Sequence, residues 1–171
     1  MIQAFENGET NMKQVFESEH ISFVEVSEQL AEDYLTVVND YENVNRFIGG
    51  EHKAYSLEQE IQWVRGKLEE KAPVYSMLEK KSGRFIGNIE FMDLTDLQGE
   101  LGIAITAEMQ NQQYGTEAVL AITQFGFHQL GLKRVYLRTN PNNTRARHVY
   151  EKCGFREYNR DLEHIYMVLQ R

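Results

Sequence analysis

Two short segments combine residue types and spacing that could do chemistry. Residues 110–118 read Gln110-Asn111-Gln112-Gln113-Tyr114-Gly115-Thr116-Glu117-Ala118. Where a polar loop enters a helix, the first backbone N–H groups lack intrahelical acceptors, and the helix dipole adds partial positive charge. Such a junction suits a phosphate. It is not a lysine-bearing phosphate loop, because no Lys follows its single glycine, Gly115. An ordinary strand-to-helix turn would have the same composition. The second segment, residues 143–155, reads Asn143-Thr144-Arg145-Ala146-Arg147-His148-Val149-Tyr150-Glu151-Lys152-Cys153-Gly154-Phe155. At helical spacing Ala146, Val149, Tyr150 and Cys153 share one face. The phenol of Tyr150, with a reference pKa of about 10, is protonated at neutral pH and fits a proton donor. A tyrosine on an apolar stripe fits a core equally well. His148 points away from that face and is expected at the surface, and Cys153 is expected in the core.

The elements around these segments follow from periodicity and punctuation. Residues 21–26 read as a strand. Ser27 caps a helix carrying Leu30, Tyr34, Val37 and Val38, and residues 42–54 have no period. Ser56 opens a second helix with Gln59 completing a capping box, and Leu57, Ile61, Val64 and Leu68 form its apolar stripe. Strands over 74–79, 84–92 and 99–106, joined by short polar turns, suggest an antiparallel meander. A helix over 116–130 follows, with Val119, Ile122, Phe125 or Gly126, and Leu130 at helical spacing and Gly131 as its stop. A strand over 134–139, a helix over 144–152 and two strands over 155–158 and 165–170 close the chain. The order β-α-α-β-β-β-α-β-α-β-β predicts an α/β (α+β) chain with a single mixed, mostly antiparallel sheet flanked by helices. Residues 1–20 are weakly patterned and read as a poorly ordered or peripheral arm; residues 21–171 read as one domain.

Bulk properties narrow the function. The 171 residues suffice for one domain with a real core. The net charge of −8 argues against a nucleic-acid binder, and no apolar run is long enough for a membrane span. The single cysteine and the absence of a leader pattern fit a cytoplasmic protein. Residues 1–73 hold 15 acids against 6 Lys/Arg, and residues 74–171 hold 11 against 12. An acidic half concentrates a cationic substrate; the same imbalance also serves plain solubility.

Taken together, the two segments resemble the GNAT N-acetyltransferase superfamily. Within it the chain is most similar to the branch of the ribosomal-protein alanine and spermidine N-acetyltransferases. The resemblance rests on Arg84-Phe85-Ile86-Gly87-Asn88-Ile89, on Glu100-Leu101-Gly102-Ile103, on Tyr114-Gly115-Thr116-Glu117-Ala118, on Asn143-Thr144-Arg145-Ala146 and on Tyr150-Glu151-Lys152-Cys153-Gly154-Phe155. It departs from the family at the pyrophosphate loop. That loop is usually Gln/Arg-Gly-x-Gly-x-Gly/Ala, and here Asn111 and Gln113 replace the first two glycines. Asn tolerates positive φ, so Asn111 is the milder change and Gln113 the larger.

The resemblance implies acetyl transfer from acetyl-CoA to a primary amine: a polyamine, an aminoglycoside or a protein N-terminus. No metal takes part. It also implies a site. Gln110, Gln112, Gln113, Tyr114, Gly115 and Thr116 would hold the cofactor's pyrophosphate, mainly through backbone N–H groups. Ile103 and Ile105, on a strand splaying from 134–139, would meet the thioester and pantetheine, and Asn143 would bond the pantetheine arm. Tyr150 would be the acid for the departing thiolate. Glu100 is the candidate for holding or deprotonating the amine, with Glu90 as its substitute; a half-buried, salt-bridged Glu100 is the plainer reading. Glu42 and Glu51, with Asp161 and Glu163, would line the acceptor entrance. A homodimer is compatible with the family. A catalytically silent module that binds CoA or a protein partner is the competing reading, resting on the lost glycines.

Overall fold

The computed structural model describes residues 12–49 and 51–171. Its elements in chain order are β1 (Gln14–Glu17), β2 (Ile21–Glu25), α1 (Ala31–Val38), α2 (Leu57–Glu69), β3 (Val74–Glu79), β4 (Phe85–Met92), β5 (Gln98–Ile105), α3 (Tyr114–His128), β6 (Arg134–Thr139), α4 (Thr144–Lys152), β7 (Arg156–Arg160) and β8 (Ile165–Gln170). The strands form one sheet in the order β1-β2-β3-β4-β5-β6-β8-β7. Every pairing is antiparallel except that of β5 with β6. The mixed, mostly antiparallel sheet is therefore as the sequence predicts.

Period-2 alternation divides the core into two layers. On one face Val24, Val26 and Val74 pack with Tyr34, Val37 and Val64 of α1 and α2. On the other Phe23, Met77, Ile89 and Leu101 pack with Val119 and Ile122 of α3 and Tyr150 of α4. An irregularity in the β3–β4 register lets Ile86 and Ile89 share the second layer although they are three residues apart. Gly87 makes this fit: a Cβ there would lie 1.9 Å from the carbonyl oxygen of Ala104.

Three expectations need correction. Residues 1–11 of the expected arm lie outside the described residues, but Gln14–Glu17 is strand β1, paired with β2. Phe16 holds it there, stacked between the rings of Phe23 and Phe125 at centroid distances of 4.2 and 4.4 Å. Helix α2 has its Ser56–Gln59 capping box, but of the expected Leu57, Ile61, Val64 and Leu68 stripe only Val64 is fully inside. Leu57 and Leu68 are 40% and 44% exposed, whereas Glu60 and Val64 are buried. Trp63 sets this rotation by packing edge-on against Tyr34 at 5.5 Å. Helix α3 begins at Tyr114, so Gly115 stands in its first turn rather than before it.

Candidate active site

The site begins with a fork. β5 and β6 pair only at Gln98 with Arg134, Gly99 with Val135 and Glu100 with Tyr136. Beyond Glu100, β5 stays with β4 as far as Ile105, and β6 stays with β8 as far as Thr139. The strands part, and a cleft of about 1160 Å³ runs through the gap. Ile103 and Ile105 line it on an edge that has lost its β6 partner. The splay that the resemblance implies is thus present.

At one end the cleft meets the loop before α3. Asn111 and Gln113 both adopt left-handed backbone conformations, with φ of 60° and 69°. These are the two positions where glycine is replaced, so the loop keeps a glycine-like shape without glycine. The backbone N–H groups of Gln112 to Thr116 donate to no acceptor among the described residues, and the N-cap residue Gln113 makes no side-chain cap. Glu117, whose carboxylate would otherwise favour this positive helix end, is drawn to the outer side. It accepts from Ser18 Oγ at 2.6 Å, the His20 N–H at 2.7 Å and His20 Nδ1 at 3.0 Å. Burial pushes its carboxyl up, but these hydrogen bonds outweigh that and leave it below the usual carboxylate range. The result is a group of unpaired N–H donors at the positive end of α3, a chemistry that suits an anion.

Side chains around these donors divide. Gln110, Asn111, Gln113, Gly115 and Thr116 line the cleft, and Gln112 and Tyr114 do not. Gln112 Nε2 donates to Glu108 O, and Tyr114 donates its hydroxyl to Glu79, so these two offer only backbone groups. Gln110 Nε2 donates to Ile105 O at 3.0 Å, tying the loop to the end of β5. A Cβ at Gly115 would make ordinary contacts, 3.5 Å to Ile105 Cδ1 and 3.8 Å to Val149 Cγ1.

Helix α4 supplies the facing wall. Asn143 is its N-cap: Oδ1 accepts from the Ala146 N–H at 3.2 Å, which leaves the Nδ2 donors for the cleft. Tyr150 is 7% exposed, and burial, with a smaller contribution from Cys153, pushes its phenol up to about 12. Its hydroxyl makes no hydrogen bond to the described residues, yet no fully buried side-chain oxygen among them lacks a partner. The phenol oxygen therefore opens on the cleft, which Tyr150 lines. His148 is exposed and Cys153 is buried with its thiol pushed up to about 11 by burial, so neither is placed to react.

The opposite face of the sheet carries the carboxylates. Glu100 is 5% exposed, and Arg138 Nε donates to its Oε1 at 2.7 Å. Glu90 lies opposite Gly102 on β5, half-buried, and burial pushes its carboxyl up while Lys67 opposes this. Glu60, which lies off the apolar stripe that the sequence predicts for α2, is buried in the same cleft. Beside them Tyr34 donates to Ser76, and Ser76 to Asn88, leaving the Asn88 amide towards the cleft.

The entrance differs from expectation. Glu42 and Glu51 stand outside the cleft, paired with Arg46 at 3.4 Å and Lys53 at 2.6 Å. Their segment is pinned the other way round, by Asn45 donating to Val38 O and Glu51 O, so Arg46, Phe47 and Ile48 face the opening. From the β7–β8 turn Glu163 lines the cleft, while Asp161 accepts from the N–H groups of Glu163 and His164 and from Tyr166 and serves the turn. No group of His, Cys, Asp and Glu suited to a metal occurs among the described residues. None of the described helices is long and apolar enough to cross a membrane.

Comparison with known proteins places this geometry. Spermidine N(1)-acetyltransferase of Vibrio cholerae is 26% identical over 93 residues, covering 53% of this chain and 54% of that relative, so the match spans about half of its length. The structure of a GNAT-family acetyltransferase from Bacillus anthracis superposes with a TM-score of 0.78 at 19% identity, covering 93% of this chain and 97% of the other. Spermidine N-acetyltransferase from Vibrio cholerae, in complex with CoA and spermine, gives 0.78 at 17% identity over 88% and 95%. A model of the acetyltransferase (GNAT) domain matches residues 20–156, and the chain belongs to that family.

Proposed function

We propose that the chain transfers an acetyl group from acetyl-CoA to a primary amine. The observation that carries this is the Tyr150 hydroxyl, unpartnered and open to the cleft where β5 and β6 part. The free N–H groups of residues 112–116 would hold the pyrophosphate, and Asn143 Nδ2 the pantetheine arm. The unpaired edge of β5 beyond Glu100 would give N–H groups to the thioester carbonyl as charge develops on its oxygen.

Glu90 takes a proton from the bound ammonium, directly or through water. Its burial-raised carboxyl is a better base than an ordinary one, and Glu100 is already occupied by Arg138. The freed amine attacks the carbonyl carbon, the carbon–sulfur bond breaks, and Tyr150 donates to the departing sulfur. A phenol raised to about 12 is a weak acid, but a thiolate in the same buried wall is also made more basic by desolvation.

The left-handed backbone kept at Asn111 and Gln113 weighs against the silent-module reading, which rests on the two glycine replacements. The relatives' acceptor, spermidine, favours a polyamine over an aminoglycoside or a protein N-terminus. The test is thiol release from acetyl-CoA across a panel of amines. Turnover with a cationic amine, lost in Tyr150→Phe, is the expected result. Binding of acetyl-CoA without release from any amine would return the silent module.

A further inference from the structure

Behind the exposed Glu163, three carboxylates line the cleft, and the chain pairs only one of them in a salt bridge. Arg138 serves Glu100, and Lys67 lies near enough to Glu90 to oppose the rise of its carboxyl. Glu60 has neither an ion pair nor a side-chain hydrogen bond among the described residues, although it is only 5% exposed. Its oxygens are not sealed, because no fully buried side-chain oxygen lacks a partner and Glu60 lines the cleft. It also sits close enough to Tyr34 to raise that phenol. An unpaired carboxylate held this deep is costly, and a protein under no other demand would neutralise it or exchange it for an apolar residue. The Leu57, Ile61 and Leu68 face of α2 shows that apolar residues were at hand, yet the helix turns Glu60 inward.

Tyr34, which Glu60 influences, and Trp63, three residues along α2 and packed on Tyr34, line the cleft with it. They suit an aliphatic chain flanked by a cation, since aromatic faces attract ammonium and pack methylenes. Trp63 already shows this preference, with Lys67 Nζ 6.0 Å from its ring centroid.

Resting on the acetyl-transfer reading above, we infer that Glu60 is a specificity residue that holds a second ammonium of the acceptor. The acceptor is then an aliphatic diamine or longer polyamine, with one nitrogen at Glu90 and another at Glu60. A peptide N-terminus, with its single ammonium, leaves Glu60 unpaired and is selected against.

The test compares 1,4-diaminobutane and spermidine with n-butylamine, using wild-type protein, Glu60→Gln and the charge-keeping Glu60→Asp. Thiol release is measured with saturating acetyl-CoA, and amine binding by calorimetry with CoA present. In the wild type the diamine should surpass the monoamine in kcat/KM. Glu60→Gln should shrink that ratio by about tenfold to a hundredfold, the range of one charge-assisted hydrogen bond, mainly through the diamine KM. Glu60→Asp should keep part of it. An unchanged ratio in Glu60→Gln would overturn the assignment, as would an equal loss for both amines. Should no amine be turned over, acetyl transfer falls by itself, and calorimetry still decides here. Diamine binding that Glu60→Gln weakens supports the subsite; absent binding, or binding indifferent to Glu60→Gln, removes it.

Discussion

Arg138 Nε donates to Glu100 Oε1 at 2.7 Å just where β5 and β6 stop pairing. The bond spans the root of the fork, so it braces the two strands that form the cleft. It also commits Glu100 to a guanidinium that is half exposed while Glu100 itself is buried. A carboxylate so engaged is poorly placed to accept a proton from substrate, which is why the proposal gives that role to the half-buried Glu90 across the strand pair.

The two glutamates should separate in kinetics. Glu90→Gln should lower turnover by about 100- to 10,000-fold, the usual contribution of an acid–base group. Glu100→Gln should cost less, and Arg138→Gln should destabilise the fold by about 1 kcal/mol, with solvent screening of Arg138 keeping the figure low. The Glu100→Gln/Arg138→Gln pair should regain part of that stability. A loss at Glu100→Gln exceeding that at Glu90→Gln would reverse the assignment.

Tyr150→Phe should lower turnover by about 100- to 10,000-fold with cofactor affinity nearly intact, because it removes only the oxygen that faces the cleft. The ring remains in its packing against Phe155, 6.0 Å away, so the fold should hold. Single-turnover rates isolate the chemical step from product release. A normal single-turnover rate would leave Tyr150 as a packing residue.

Strand and helix order was legible because periodicity and caps act locally: Ser56 with Gln59, Gly131 and the β3–β4 turn all stand where the sequence places them. Spacing within one helix puts Tyr150 on the inward face of α4, where it is buried; the roles of Tyr150 and Asn143 come from the family resemblance and not from spacing. Orientation about a helix axis is a tertiary property, and there the reading failed. The stripe of Leu57, Ile61, Val64 and Leu68 predicts one face of α2, and Trp63 against Tyr34 turns the helix so that Val64 stays inside but Glu60 is buried too. Strand β1 escaped because its signal is Phe16, which gains meaning only from Phe125, more than a hundred residues later. Glu42 and Glu51 are expected at the entrance from the family resemblance alone; in the structure both are exposed and pair with Arg46 and Lys53.

Gln113→Gly should be neutral or mildly stabilising and should not weaken the cofactor. Relief of a left-handed non-glycine residue is worth about 1–2 kcal/mol, offset by about 0.5–1 kcal/mol of added chain entropy. Gln113→Val, with a branched Cβ at the same φ, should cost about 1–3 kcal/mol and raise the cofactor KM. A large cofactor defect in Gln113→Gly would show that the Gln113 side chain itself binds.

Glu60 and Glu90 should make the fold less stable as pH rises. Burial raises both carboxyls, so the native state holds their protons more tightly than the unfolded chain. Their contribution is fully present below the unfolded carboxyl value of about 4.3 and is lost as pH climbs through the raised native values. Glu60→Gln removes that loss, so its Tm should exceed the wild type at neutral pH and converge with it near pH 4. A diamine should stabilise the wild type at neutral pH and the variant less. An equal Tm for both proteins at pH 7 would show that Glu60 carries no burial penalty.

Capture of a cationic acceptor should weaken with salt, and the charges responsible should be those facing the cleft. The acid excess of residues 1–73 first points to Glu42 and Glu51, but both are exposed, paired and outside the opening. Glu163 lines the opening, is exposed, and forms no salt bridge among the described residues. A unit charge about 8 Å from an ammonium in water is worth roughly half a kcal/mol, which is about twofold in affinity. Screening at 0.1 M salt, where the Debye length is about 10 Å, should remove much of it. Glu163→Lys should therefore lower kcat/KM for the best amine by about threefold to fivefold at low salt, mostly through KM, and by less at moderate salt. Glu42→Lys and Glu51→Lys should each change it by less than Glu163→Lys does. Larger losses at Glu42 or Glu51 would mean that the 41–55 segment turns inward when substrate binds. A best acceptor that is neutral or anionic, with no salt dependence, would leave the charge imbalance as a solubility feature alone.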